Sequence, residues 1–174
     1  MKKAISSHLT SANIAKVMEL LAATPAQLEN LSKPLSEEQL HQPPGAGERS
    51  FTADLAHLIN TEARSSEAIY LALLMEEPLV PGVHPERQWG KLLKFDLLPF
   101  SELLAYFKLR RVVLLGVLAA LNETQWARSI REAGKKRQES VYWRARTIAM
   151  HELEHLTDLQ SKLTRRVLRS TPGQ

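Results

Sequence analysis

Thr147-Ile-Ala-Met-His-Glu-Leu-Glu-His-Leu-Thr-Asp-Leu159 belongs to the last long periodic segment of the chain, and its pattern sets the reading of the segments before it. At about 100° per residue, Val141, Ala145, Ile148, Leu156, Leu159 and Leu163 fall on one apolar stripe, which predicts an amphipathic helix. His151 and His155 lie along the edge of that stripe, one helical turn apart on the same side. Two neutral imidazoles so placed can grip one divalent ion, and imidazole suits zinc, nickel, iron and copper alike. An ordinary amphipathic helix with two unrelated histidines has the same spacing. Glu152 falls inside the stripe, where a carboxylate is costly unless something pairs with it. Its partner is the free ring N–H of a metal-bound histidine, a metal-bound water, or an arginine from another helix.

Three further segments carry the same helical period. The first runs from about Ser11 to Leu31, with Ile14, Val17, Met18 and Leu21 on one side. Pro25 interrupts it, so that either the helix kinks there or a second helix starts at the Thr24-Pro25-Ala26-Gln27 capping pattern. Ser36 to Leu40 reads as one short turn, and the paired prolines and glycines after His41 as a loop. Ser50 is expected to cap the second helix, which should reach about Met75 with Leu55, Ile59, Ile69 and Leu73 on one side. Pro78, Pro81, Gly82 and Pro85 then open a long connection. A loop of that length in a small domain is either the rim of a site or a plain crossover. Ser101 is expected to cap the third helix, from about Glu102 to Leu121, and Trp126 to be buried in a further turn. The fourth helix spans roughly Glu139 to Arg169. No strand-like alternation is visible. The pattern predicts an all-α protein, a four-helix bundle in a single domain covering residues 1–174, with about 1–10 and 170–174 poorly ordered.

Composition narrows the function classes. With 174 residues, 44% hydrophobic and 24% charged, the chain can bury a substantial core. It has no cysteine, which excludes a disulfide framework, a thiolate zinc site and a cysteine nucleophile, and which fits the cytoplasm. No stretch approaches a membrane span, and the start lacks the apolar run of a signal peptide. The formal charge is +4, with much of the excess late in the chain, in Lys135-Lys136-Arg137, Arg144, Arg146 and Arg165-Arg166. These residues read as a solvated helix face, since no aromatic platform or recognition-helix signature accompanies them to suggest nucleic acid.

Three metal arrangements fit the histidines. His151-Glu-Leu-Glu-His155 satisfies the zinc-peptidase pattern, with Glu152 as general base. Only 19 residues follow His155, however, and they hold no histidine or glutamate to complete the site. Glu152 with His155 and Glu38 with His41 match the Glu-x-x-His pairs of di-iron bundles, but the second pair runs straight into two prolines. The third arrangement takes one more histidine from upstream. Of His8, His41, His57 and His84, only His57 lies inside a long helical pattern. His57, His151 and His155 would give three nitrogen ligands and open positions, the arrangement of a catalytic metal. On the ideal wheel His57 faces the polar side of its helix with Asn60 and Arg64, so that side is either covered by another element or opens as a cleft at one end of the bundle. Glu62 and Glu152 are the available acid–base candidates.

Over most of its length the sequence resembles the DinB/YfiT-like family of metalloenzymes. Ser50-Phe-Thr-Ala-Asp-Leu-Ala-His57-Leu-Ile-Asn-Thr-Glu62 is similar to the family's second-helix pattern, a serine cap leading to "LAHLADAE". Ser101-Glu-Leu-Leu-Ala-Tyr-Phe107 resembles the start of its third helix, and His151 to Leu159 its last-helix "HxxxH" ending. Arg49 stands where the family often has tryptophan. The resemblance implies a four-helix bundle with a long connection between helices 2 and 3. It also implies one divalent metal on His57, His151 and His155, with nickel, zinc and iron not distinguished. As to activity, it implies a transferase or isomerase acting on a small molecule with a low-molecular-weight thiol, or a hydrolase, in a homodimer. The competing class is a metal-stabilised or metal-free bundle serving as a non-catalytic stress or partner-binding protein.

Overall fold

The computed structural model describes residues 5–170, save the side chains of Glu86 and residues 167–170. Its long helices are α1 (Ser11–Ser32), α3 (Phe51–Leu74), α5 (Phe100–Ala119) and α7 (Val141–Ser170). Short helices stand between them: α2 (Glu37–His41), α4 (Lys91–Leu93) and α6 (Glu123–Trp126). Both α5 and α7 pack against α1 and α3, so α1 lies across the bundle from α3, and α5 from α7.

Local chemistry sets the helix starts. Thr10 caps α1 and Ser50 caps α3, each side-chain oxygen accepting the N–H three residues on. Ser36 with Gln39, and Asn122 with Gln125, form reciprocal capping boxes on α2 and α6. The start of α5 departs from expectation. Pro99, not Ser101, precedes its first turn, and the Phe100 N–H donates to Glu37 Oε1 of α2 at 2.7 Å. A tertiary carboxylate thus takes the place of a local cap.

Pro25 neither starts a new helix nor ends α1, which runs through it. Proline has no N–H to give the carbonyl four residues back. That carbonyl, Leu21 O, instead accepts from Arg111 Nη1 at 2.5 Å. Arg111 is 2% exposed and also binds Glu152 through both guanidinium ends, at 2.9 and 2.5 Å, and Glu62 at 2.7 Å. One side chain from α5 therefore ties α1, α3 and α7 together at the centre of the bundle. This polar layer separates two apolar clusters. One holds Leu21, Ile69, Leu114, Val141, Ile148 and Trp126; the other holds Leu28, Leu55, Ile59, Phe107, Leu156 and Leu159. Burial pushes the Glu152 carboxyl up against the pull of Arg111. The guanidinium, which burial alone would lower, is held above its ordinary value by Glu152 and Glu62.

Three expectations need correction. A small sheet is present: β1 (Leu79–Val80) runs parallel to β2 (Ser129–Glu132), which pairs antiparallel with β3 (Glu139–Ser140). Strands of two to four residues are too short for alternation to show in the sequence. Arg144 and Arg146 are buried rather than solvated. Arg144 pairs with Glu132 and Glu139, both at 2.6 Å, and Arg146 donates to the Ile5 and Ser6 carbonyls. Finally, the chain from Ile5 onward is pinned rather than loose. Ile5 is in the core, and Tyr142 also donates to Ser6 O. The remaining residues expected to be poorly ordered at the two ends, 1–4 and 171–174, lie outside the described residues.

Candidate metal centre

His57 projects from α3, and His151 and His155 from α7, where these two helices pack together. One ring nitrogen from each lies within 4.8 Å of the others, and His57 Nε2 is 3.0 Å from His151 Nε2. Ring centroids are 4.6 to 4.9 Å apart. Among the described residues this is the group of histidines and carboxylates that meets metal-binding geometry. His8, His41 and His84 stand elsewhere; His41 pairs with Glu37 within α2, which removes the di-iron arrangement.

The donor set fits a divalent cation. Two nitrogens each about 2.0–2.1 Å from a common ion, at angles between octahedral and tetrahedral, are about 2.8–3.4 Å apart. The His57–His151 pair, at 3.0 Å, has that spacing. His151 is also kept neutral: burial, then His155, His57 and Arg49, holds its ring down to about 4. A neutral ring is the form that binds metal. His151 Nδ1 and His155 Nδ1 are buried without a hydrogen-bond partner. His155 Nδ1 does face Asp54 Oδ1, at 3.4 Å, a carboxylate placed to orient the ring. Asp54 is fixed in turn by Lys162 at 2.6 Å. Burial pushes the Asp54 carboxyl up, but the facing His155 ring and the Lys162 ammonium outweigh it and hold it below its usual range.

Asp54 and Lys162 were not singled out in the sequence, although a signal exists. Asp54 is one turn before His57, and Lys162 two turns after His155. Glu62 and Glu152, the acid–base candidates, are instead locked by Arg111 in the bundle centre. An arginine from another helix is thus the partner of Glu152, and the peptidase reading loses its base.

The polar side of α3 is both covered and open. The connection from Pro85 to Leu97, a π-helical turn followed by α4 and a turn of 3-10 helix, lies along α3. Between them is a cleft of about 640 Å³ lined by Ala53, Ala56, His57 and Asn60 from α3, Arg49 just before it, and Arg87, Lys91, Lys94, Phe95 and Asp96 from the connection. The cleft is within the range of small-molecule sites, about 300–1,000 Å³.

A bundle of this form, with three histidines at the α3–α7 seam, is matched by the model of the DinB superfamily over residues 20–159, and the chain belongs to that family. Among solved structures it is similar to YfiT from Bacillus subtilis, described as a probable metal-dependent hydrolase with an unusual four-helix bundle topology. The identity is 19%, with 93% of this chain and 91% of that one covered and a TM-score of 0.82. It is also similar to the mycothiol-dependent maleylpyruvate isomerase, at 16% identity and a TM-score of 0.62. That match covers 84% of this chain but only 60% of the other. Both likenesses establish the fold. No curated protein matches the sequence. Among the described residues, no helix is long and apolar enough to cross a membrane.

Proposed function

We propose that this chain is a metal-dependent enzyme in which His57, His151 and His155 hold one divalent cation, nickel, zinc or iron, and that it transfers or isomerises a small molecule with the help of a low-molecular-weight thiol. The observation that carries this reading is the convergence of three imidazoles on one point beside a cleft large enough for a substrate. A divalent cation bound there supplies Lewis acidity toward water or a thiol. The protein's own part is to keep His151 unprotonated, to orient His155 through Asp54, and to admit the substrate along α3. With no cysteine in the chain, the thiol comes from outside. The mycothiol dependence of one structural relative supports the thiol chemistry, and the hydrolase description of the other supports hydrolysis as the second reading. We place the protein in the cytoplasm, without a nucleic-acid partner.

We further read it as a homodimer. Leu109, Val112 and Val113 form an exposed, uncharged strip on α5 beside Gly116. Such a strip can meet its own copy across a two-fold axis without like-charge repulsion.

The test is elemental analysis of the purified protein, then thermal-shift titration of the metal-loaded form with bacillithiol, mycothiol and glutathione. About one metal per chain, lost in His57→Ala and His151→Ala with the fold intact, is expected. If the metal is lost together with the fold, it is structural, the non-catalytic alternative. If no thiol moves the melting temperature, the hydrolase reading takes precedence.

A further inference from the structure

The late cationic residues expected to form a solvated face lie outside the cleft; a different set lines it. Arg49, Arg87, Lys91 and Lys94 stand around it against one carboxylate, Asp96. The side chains of Arg87, Lys91 and Lys94 enter no ion pair among the described residues. They come from consecutive turns of the connection, which places them on the wall opposite His57. A second and independent observation lies on the α3 wall. Asn60 is 3% exposed, it lines the cleft, and its Oδ1 has no hydrogen-bond partner. A buried amide oxygen left unpaired costs free energy that a ligand donor would recover. Phe95 and the small Ala53 and Ala56 supply the apolar remainder. A concave space of this volume with convergent polar groups suits a small molecule, and a cluster of one charge sign focuses ligands of the other.

We infer that the cleft selects a small molecule bearing at least one oxyanionic group, a carboxylate or a phosphate, held by Arg87, Lys91 and Lys94, with a hydrogen-bond donor on its body that reaches Asn60. The molecule then spans from the connection to the histidine centre. This deepens the function proposed above, and its catalytic meaning rests on that reading, but anion binding itself is measurable without turnover. The cationic groups sit on the exposed connection, outside both apolar clusters, so removing them leaves the bundle intact.

The experiment is calorimetric titration of the full-length protein, metal-loaded and metal-stripped, with succinate, phenyl phosphate and the neutral dimethyl succinate at low ionic strength. Metal content is recorded in parallel. Saturable one-site binding of an anion is expected, with no binding of the neutral ester. Arg87→Ala/Lys91→Ala should weaken it at least tenfold without changing metal content. Lys16→Ala/Lys136→Ala, which removes the same charge from exposed positions outside the cleft, should weaken it less than twofold. Preference for succinate or phenyl phosphate identifies the oxyanion. Absence of saturable binding by either anion overturns the inference, as does equal weakening in the two double variants. A protein that takes up no metal but binds anions with this pattern sustains the inference while removing the metalloenzyme reading.

Discussion

Replacing Arg111 by methionine tests the organisation of the whole bundle. The guanidinium is 2% exposed and contacts Glu62, Glu152 and the Leu21 carbonyl, so the variant leaves two buried carboxylates and one backbone acceptor without it. Removing one partner of a buried pair costs about 3–5 kcal/mol. Arg110 still reaches Glu62 at 3.2 Å, which keeps the loss near the middle of that range, about 4 kcal/mol. With an unfolding entropy of about 2.1 cal/mol/K per residue, a chain of 174 residues loses about 11 °C in Tm. The assay is thermal and urea unfolding of wild type, Arg111→Met, and Arg111→Met combined with Glu62→Gln and Glu152→Gln. The triple variant should recover at least about half of the loss, because it removes the stranded charges. The pH dependence has a definite sign. Burial already raises the Glu152 carboxyl above its unfolded value near about 4.3, and loss of the guanidinium removes the main pull against that rise. Its neutral form then favours the fold at acid pH, and that contribution is lost as pH rises through the raised value. The deficit should therefore be smaller at pH 5 than at pH 8. A Tm loss under about 3 °C, or glutamine substitutions that add to the loss, would refute the account of Arg111 as the charge that holds the four helices together.

Three other outcomes are expected. Asp54→Asn weakens the hold on His155 and should lower metal affinity about 10–100-fold in a competition titration against a chelator, with the metal-binding stoichiometry unchanged. In the metal-free protein His151 is depressed to about 4 from an unfolded value of about 6.5. The unfolded chain then binds more protons between these values, so stability is full above about pH 6.5 and falls as pH drops toward about 4. The loss is about 2 kcal/mol after discounting for partial exposure, measured by urea unfolding with and without His151→Ala. Val112→Glu/Val113→Glu, at 69% and 52% exposure, should yield a monomer in sedimentation velocity with Tm nearly unchanged; a dimer that persists moves the contact to another face.

Much of the architecture was present in local pattern. The stripe through Ile148, Leu156 and Leu159, the cap at Ser50, the short turn from Ser36 to Leu40 and the burial of Trp126 all follow from spacing and side-chain chemistry within a few residues. His57 was reached differently, as the histidine left inside a long helical pattern and the match to a family motif. Other features left no local trace. Nothing near Glu152 says that its partner is Arg111, 41 positions away, or that Arg111 also takes the carbonyl freed by Pro25. Arg144 and Arg146 have the composition of a solvated face, and only the packing of the N-terminal chain and the β2–β3 corner buries them.

The sequence by itself determined where helices form, because helix propensity, capping and apolar period act over one or two turns. It also determined that two histidines share a face, since i and i+4 coincide on any helix. Which faces meet was decided only by tertiary packing. Charged groups on four separated helices are brought within hydrogen-bond reach by burial of two apolar clusters, and the cleft exists because the connection folds back along α3. Those pairings depend on distances through space that chain spacing does not encode.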